Sequence, residues 1–312
     1  MRTLGPKPGG LDRWELARER VLGAGRFGRV RLAVLRRAPR ARPELLAVKA
    51  LREDAAPAEE SQFLREACTL AALRHDHVVR FAGVCVAGGP PLLLMERAHF
   101  GDLLRYLRAR RHLAAGGAPA PAAEGEERAG PEEAVHVSAE ALTRLAREAA
   151  VALAYLASRA LVHRDVRAAN CLVDGRRALK LADFGLARGT GSADGEYACR
   201  GRALFPVLWM APESLESGVA SAASDAWAFG VLALELVTLG ARPFGAAAPP
   251  EVVRRVLAGG RPPLPMLLNI LIYVKNRRDP ICKVPGSGDM TSSKWRLPYF
   301  INANISDFMN PI

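Results

Sequence analysis

Asp165, Asn170 and Asp183 are the side chains in this sequence best suited to chemistry. Two lie in His163-Arg164-Asp165-Val166-Arg167-Ala168-Ala169-Asn170, and the third follows thirteen positions later in Asp183-Phe184-Gly185. A carboxylate, an amide and a second carboxylate make a set of hard oxygen groups. Such a set suits phosphoryl transfer, in which one carboxylate receives a hydroxyl proton and the other two groups hold Mg²⁺ against nucleotide phosphates. On this reading Asp165 is the base, orienting the hydroxyl and taking its proton late, and Asn170 and Asp183 are metal ligands. Nothing covalent is asked of the protein; positioning and charge stabilisation supply the catalysis.

Such a site needs elements that bring phosphates to it. Val21-Leu22-Gly23-Ala24-Gly25-Arg26-Phe27-Gly28-Arg29-Val30 reads as a glycine-rich hairpin tip, where absent Cβ atoms let backbone N–H groups approach phosphate oxygens. The same glycine spacing marks dinucleotide-binding turns, but those open a helix. Here Val30, Leu32 and Val34 alternate with Arg29, Arg31 and Ala33, which predicts a strand. Leu45–Leu51 is a second strand, with Ala47 and Lys49 on one face and Leu46 and Val48 on the other. A small residue beside a lysine suits an adenine edge with an ammonium reaching the phosphates; by itself it would fit a surface lysine on an edge strand equally well. Ser61–Leu73 predicts a helix, capped by Ser61, with Phe63, Ala67 and Leu70 on one stripe and Glu66 beside it.

Together, and in this order, these motifs resemble the protein kinases, with details similar to the tyrosine kinase branch, over about residues 14–265. The resemblance implies an α+β, bilobal fold: a small β-sheet lobe with one helix (12–97) and a larger, mainly helical lobe (98–265), with ATP and Mg²⁺ between them. It implies that Glu66 pairs with Lys49. It places Leu22, Gly23, Gly25, Gly28, Val30, Ala47, Lys49 and Leu172 around the nucleotide, Met95 behind the adenine, and backbone groups of Glu96 and Ala98 on the base. Asp102 takes the family's ribose-side position; it reads equally well as a helix N-terminal charge, and the two are compatible. His163, Phe184 and Leu70 match the family's apolar spine. Arg167 in the Asp165–Asn170 loop, and Phe205-Pro206-Val207-Leu208-Trp209-Met210-Ala211-Pro212-Glu213 downstream, look like the tyrosine-specific pattern. Leu208 departs from it, standing where Lys or Arg is common. The implied partners are tyrosine-bearing proteins, with possible dimerisation for trans-phosphorylation.

Tyr197 is the single tyrosine between Asp183 and Glu213, with Arg200 and Arg202 near it. When phosphorylated it could pair with Arg164 or these arginines and order the segment; the bland alternative is a surface tyrosine. Val137-Ser138 starts a helix carrying Leu142, Leu145, Ala149, Leu153 and Leu156 at helical spacing. Asp225, inside an apolar run, needs satisfied oxygens, and the resemblance assigns it to the backbone of the catalytic loop. Residues 112–136, dominated by Ala, Gly, Pro and Glu, read as a flexible insert.

The whole-chain numbers fit this reading. Hydrophobic content of 50% with 24% charged residues in 312 describes a core-forming protein. The net charge of +12 raises nucleic acid as a partner, but the arginines are spread out and aromatics are only 6%, so stacking platforms are scarce and no nucleic-acid partner is expected. Five widely spaced cysteines give no metal spacing and suit a reducing compartment. Met1–Gly10 has no apolar h-region, and Met266–Val274 is about half the ~20 residues needed to span a bilayer; a cytoplasmic chain with no membrane segment is expected, the intracellular part of a receptor being one possible parent. Residues 1–11 read as a disordered lead. After Pro265 the composition changes: five asparagines follow where only Asn170 came before, and alanine nearly vanishes. The tail 266–312 is expected to replace the last helices of the large lobe. That leaves a second class open, an inactive or unstable isoform acting as a nucleotide- or protein-binding module.

Overall fold

The computed structural model describes residues 16–25, 28–35, 43–111, 137–189, 197–198 and 205–263. The readings made for residues 1–11, 112–136 and 266–312, and for Arg200 and Arg202, lie outside them.

Five antiparallel strands open the chain: β1 (Leu16–Gly25), β2 (Gly28–Leu35), β3 (Glu44–Leu51), β4 (Phe81–Cys85) and β5 (Leu92–Glu96), in spatial order β1-β2-β3-β5-β4. β1 and β2 close through a Gly25–Gly28 pair, so strands flank the glycine turn on both sides. β3 alternates as its sequence requires. Leu46 and Val48 join Ala33, Leu35, Leu92 and Leu94 in a cluster on one face, which leaves Ala47 and Lys49 for the other. Gly28 has a positive φ of 149°, and a Cβ there would lie 1.8 Å from the Ala50 carbonyl oxygen. Close approach of β2 to β3 thus demands glycine, independently of any phosphate.

α1 (Pro57–Ala71) crosses this sheet. It starts four residues before the expected Ser61 cap. Pro57 supplies a pre-set φ at the first turn, and Glu59 accepts the Ala56 N–H at 3.1 Å, so a proline start and an acidic first turn outweigh the serine. The stripe itself is as read: Phe63, Ala67 and Leu70 are buried, and Glu66 is buried with them. The following loop is tied to the catalytic strands, because Leu181 N–H donates to His77 C=O and Val79 N–H to Leu181 C=O, at 2.8 and 2.9 Å.

The second layer is mainly helical: α2 (Leu103–Arg108), α3 (Ala139–Ser158), α4 (Pro212–Ser217), α5 (Ala222–Val237) and α6 (Pro249–Leu257). Short pairs are interleaved: β6 (Leu161–Val162) with β9 (Arg188–Gly189), β7 (Cys171–Val173) with β8 (Leu179–Leu181), and β10 (Tyr197–Ala198) with β11 (Val219–Ala220). Ser138 caps α3 by accepting the Ala141 N–H at 3.2 Å. Leu145, Ala149, Ala152 and Leu156 of α3 pack into a core that runs without a break from Phe63 and Leu70 to Leu181, Phe184, Leu232 and Leu236. Each fully buried leucine contributes about 1.5–3 kcal/mol relative to exposure, so the continuous core fixes α1, α3 and α5 around the loops between them. Leu208 packs with Phe244, Val252 and Val256, so the residue that departs from Lys or Arg serves the core here. No helix among the described residues is long and apolar enough to cross a membrane.

Candidate active site

Two turns and one strand converge here. The first turn runs from β6 to β7 and carries His163 to Asn170. Asp225, near the start of α5, holds its entry: one carboxylate oxygen accepts the His163 N–H at 2.7 Å and the other the Arg164 N–H at 2.9 Å. Arg164 sits at φ 72°, a conformation that costs about 1–3 kcal/mol unless the surroundings impose it, and those two bonds impose it. The Arg164 guanidinium donates to Leu186 C=O at 3.2 Å and lies 5.5 Å from the Phe205 ring.

Asp165 is buried and paired: the Arg167 Nε lies 2.8 Å from its Oδ1. Burial pushes its carboxyl above the ordinary value, with Arg167 and Asn170 opposing the shift. Asn170 donates through Nδ2 to the Asp165 carbonyl at 2.8 Å, and its own carbonyl accepts the Ala182 N–H at 2.9 Å. The amide nitrogen being so used, Oδ1 is the atom Asn170 has to offer a cation. Its location in the short 3-10 turn Ala168–Asn170 keeps that geometry local.

The second turn follows β8. Asp183 has φ 60°, and its Oδ1 lies 3.5 Å from Lys49 Nζ and accepts the Gly185 N–H at 3.4 Å. Although burial pushes this carboxyl up, Lys49, His163 and the Gly185 N–H outweigh it and hold it below the usual range. Lys49 reaches across from β3 to Glu66 Oε1 and Oε2, at 2.8 and 2.9 Å. Burial alone would lower the ammonium's pKa; Glu66 and Asp183 more than reverse this and keep it charged. A Cβ on Gly185 would come within 3.3 Å of Asp183 Oδ1 and 3.4 Å of Glu66 Oε2, so this glycine keeps the ion triad unobstructed. Gln62 of α1 donates to Gly185 C=O at 3.1 Å. Phe184 is buried with its ring 4.9 Å from His163, edge to face, and Leu70 lies in the same cluster.

Lys49, Glu66 and Asp183 therefore meet, and Asp165 and Asn170 are bonded to each other. Gly23, Gly28 and Val30 lie at the β1–β2 turn, and Val30 pairs with Lys49 across β2–β3. A Cβ at Gly23 would meet nothing within 4 Å. Met95 pairs with Ala47 across β3–β5. The Glu96 N–H donates to Arg80 C=O at 2.9 Å, which removes that group from the base-binding role; its side chain pairs with Lys180 at 3.3 Å. The Ala98 carbonyl accepts the Gly101 N–H at 3.4 Å. Asp102 caps α2, accepting the Arg105 N–H at 2.9 Å, and forms a backbone bridge with Leu172. Of its two readings, the helix-terminus one is thus realised. Leu22 and Gly25 fall within β1. Tyr197 pairs by its backbone with Ala220.

No group of three or more His, Cys, Asp or Glu side chains that could hold a metal occurs among the described residues. One Asn and one Asp do not make such a group, and they suit Mg²⁺, which keeps water and takes phosphate oxygens beside one or two protein ligands. Asp183 Oδ2 takes no part in the bonds to Lys49 and Gly185, so the donor set fits the ion.

Two participants were not read from the sequence. Glu235, 1% exposed, accepts the Ala168 N–H at 2.9 Å and the Trp209 indole N–H at 3.0 Å. Glu148 of α3 accepts the Leu179 N–H at 2.7 Å, holding β8. The signal for Glu235 was present: a carboxylate inside Val231-Leu232-Ala233-Leu234-Glu235-Leu236-Val237 is as costly to bury as Asp225.

Comparison with known proteins accords with this geometry. The family profile described as protein tyrosine and serine/threonine kinase matches residues 16–274. The chain is 36% identical over 256 residues to the insulin receptor of Xenopus laevis, covering 80% of this chain and 18% of that protein. It is 37% identical over 255 residues to the insulin-like growth factor 1 receptor of Bos taurus, covering 80% and 38%. It is 36% identical over 261 residues to protein sevenless of Drosophila melanogaster, covering 81% and 10%. The chain thus spans well under half the length of these relatives. With a five-stranded sheet, a Lys49–Glu66 pair and a profile match over most of its length, the chain belongs to the protein tyrosine and serine/threonine kinase family.

Proposed function

We propose that this chain is an ATP-dependent protein tyrosine kinase that transfers the γ-phosphate of ATP to tyrosine hydroxyls of proteins. The observation that carries this reading is Lys49 Nζ lying between Glu66 at 2.8 Å and Asp183 at 3.5 Å, which joins the glycine-turn sheet to the turn bearing the metal ligand. In this reading Lys49 meets phosphate charge and Glu66 orients it. Asn170 and Asp183 would hold Mg²⁺, which when bound supplies charge neutralisation at the phosphate oxygens. Asp165 accepts the substrate proton, and Arg167 steadies it. The nucleotide lies against Leu22, Gly23, Gly25, Gly28, Val30, Ala47, Met95 and Leu172, with the Glu96 and Ala98 backbone at the base and Asp102 on the ribose side.

Tyrosine is favoured over serine by Arg167-Ala168-Ala169-Asn170 and by Phe205–Glu213, which look like the tyrosine-specific pattern; Phe205, Pro206, Trp209 and Met210 of that stretch lie beside Asp165. Two of the relatives are named receptors. That supports a cytoplasmic catalytic part of a receptor-type protein, dimerising for trans-phosphorylation, with Tyr197 as the phosphorylated switch and Arg164 as one partner. The inactive-isoform reading is not favoured, since the phosphate-facing ion triad is assembled.

The test is phosphorylation of a tyrosine peptide by residues 1–312 with Mg-ATP, set against Lys49→Met. Loss of the ammonium should lower kcat by about 10²–10³, and Mg-ATP should raise the melting temperature of the wild type. Nucleotide protection without transfer by the wild type would sink the enzyme reading. A second expectation concerns pH. Asp165 acts as its carboxylate, and burial holds its pKa above the ordinary value. As pH falls through that raised value the base is protonated and kcat drops, so the acid limb should lie above the ~4 of a free aspartate. An acid limb at the ordinary position would assign the limb to another group.

A further inference from the structure

Asp165 and the residues beside it must keep a fixed relation to whatever holds the peptide, and a single atom spans the two sides. Glu235 Oε2 accepts both the Ala168 N–H, inside the loop between Asp165 and Asn170, and the Trp209 indole N–H, in the wall of the opening beside Asp165. The Arg167 guanidinium, which pairs with Asp165, lies 5.5 Å from the Trp209 ring centre. Loop, tryptophan and arginine thus close a circuit to which α5 contributes Glu235.

We infer that Glu235 is a positioning residue that couples the peptide-side wall at Trp209 to the loop carrying Asp165 and Asn170. This rests on the tyrosine kinase reading above. Glu235 touches neither nucleotide nor peptide; it acts through Ala168 and Trp209. Both bonds converge on one oxygen, so the amide oxygen of glutamine can accept both, whereas an apolar side chain accepts neither. Shape alone would be kept by either glutamine or leucine, so the pair separates hydrogen bonding from packing.

The experiment compares wild-type residues 1–312 with Glu235→Gln, Glu235→Leu and Trp209→Phe. In Glu235→Leu, kcat should fall about a hundredfold, as expected when a catalytic group is displaced by about 1 Å, and the peptide KM should rise. The KM for ATP should rise less than the peptide KM, because Lys49, Glu66 and Asp183 lie outside the circuit and Asn170 is the one nucleotide-side residue on its loop. Glu235→Gln should recover at least a tenth of wild-type kcat. Trp209→Phe, which removes one bond of about a factor of ten, should raise the peptide KM roughly tenfold. Amide hydrogen exchange supplies a readout independent of turnover: the Ala168 amide should lose protection in Glu235→Leu, keep it in Glu235→Gln, and lose part of it in Trp209→Phe. If Glu235→Leu lowers only the melting temperature, with kcat and peptide KM unchanged, or if Trp209→Phe leaves Ala168 protection untouched, the coupling is wrong. A wild type without transfer overturns the kinase reading instead, and the exchange measurements then decide the coupling by themselves.

Discussion

Asp165→Asn should lower kcat for peptide phosphorylation by about 10²–10⁴, the usual contribution of a positioned general base, while Mg-ATP still raises the melting temperature. The substitution changes little in shape. The Asn170 bond to the Asp165 main-chain carbonyl survives, since it does not use the side chain. The change removes the carboxylate proposed to take the hydroxyl proton, and with it the ion pair to Arg167. Lys49, Glu66 and Asp183 are bonded among themselves, so nucleotide protection should persist. The measurement is single-turnover transfer to a tyrosine peptide alongside a thermal shift with Mg-ATP. A rate within tenfold of wild type would remove Asp165 from the base role; loss of nucleotide protection would mean that the substitution had disturbed the Asp183 turn.

The parts of the site legible in the sequence were those in which one residue type has one physical use. Glycine at 28 is forced by the approach of Ala50, a lysine alternating with apolar neighbours must turn to the other face of β3, and Asp225 must find donors. The α1 start was missed because Ser61 satisfies a local capping rule, while Pro57 and Glu59 satisfy two rules together. The position of Glu96 suggested a place at the base, but not that the Arg80 carbonyl would take up its N–H. Glu235 was missed for a different reason. Its partners lie 67 and 26 positions away in sequence, and the 3-10 turn that exposes the Ala168 N–H to it is set by packing of α5, which no local pattern encodes. Buried carboxylates within apolar helices are therefore the class of residue most worth pursuing from sequence, since each must be answered by donors elsewhere.

That argument gives the second large effect. Asp225→Ala should destabilise the protein by about 2–6 kcal/mol, since it leaves two buried main-chain donors, His163 N–H and Arg164 N–H, without their acceptor, at about 1–3 kcal/mol each. Total stability is of order 5–15 kcal/mol, so the variant should be marginal. It should also lose catalysis out of proportion to its unfolded fraction, because the Asp225 carboxylate accepts the Arg164 N–H in its φ 72° conformation, and Asp165 follows directly in the chain. Asp225→Asn should be intermediate. Its amide keeps one acceptor but turns an NH₂ group toward the other N–H, so about half the loss should remain. Urea unfolding reads the stability from the midpoint at constant slope, and kcat on the folded fraction reads the loop. A loss below about 1 kcal/mol in Asp225→Ala would mean that water replaces the carboxylate at both amides, and the loop would then owe its conformation to Glu235 and the core alone.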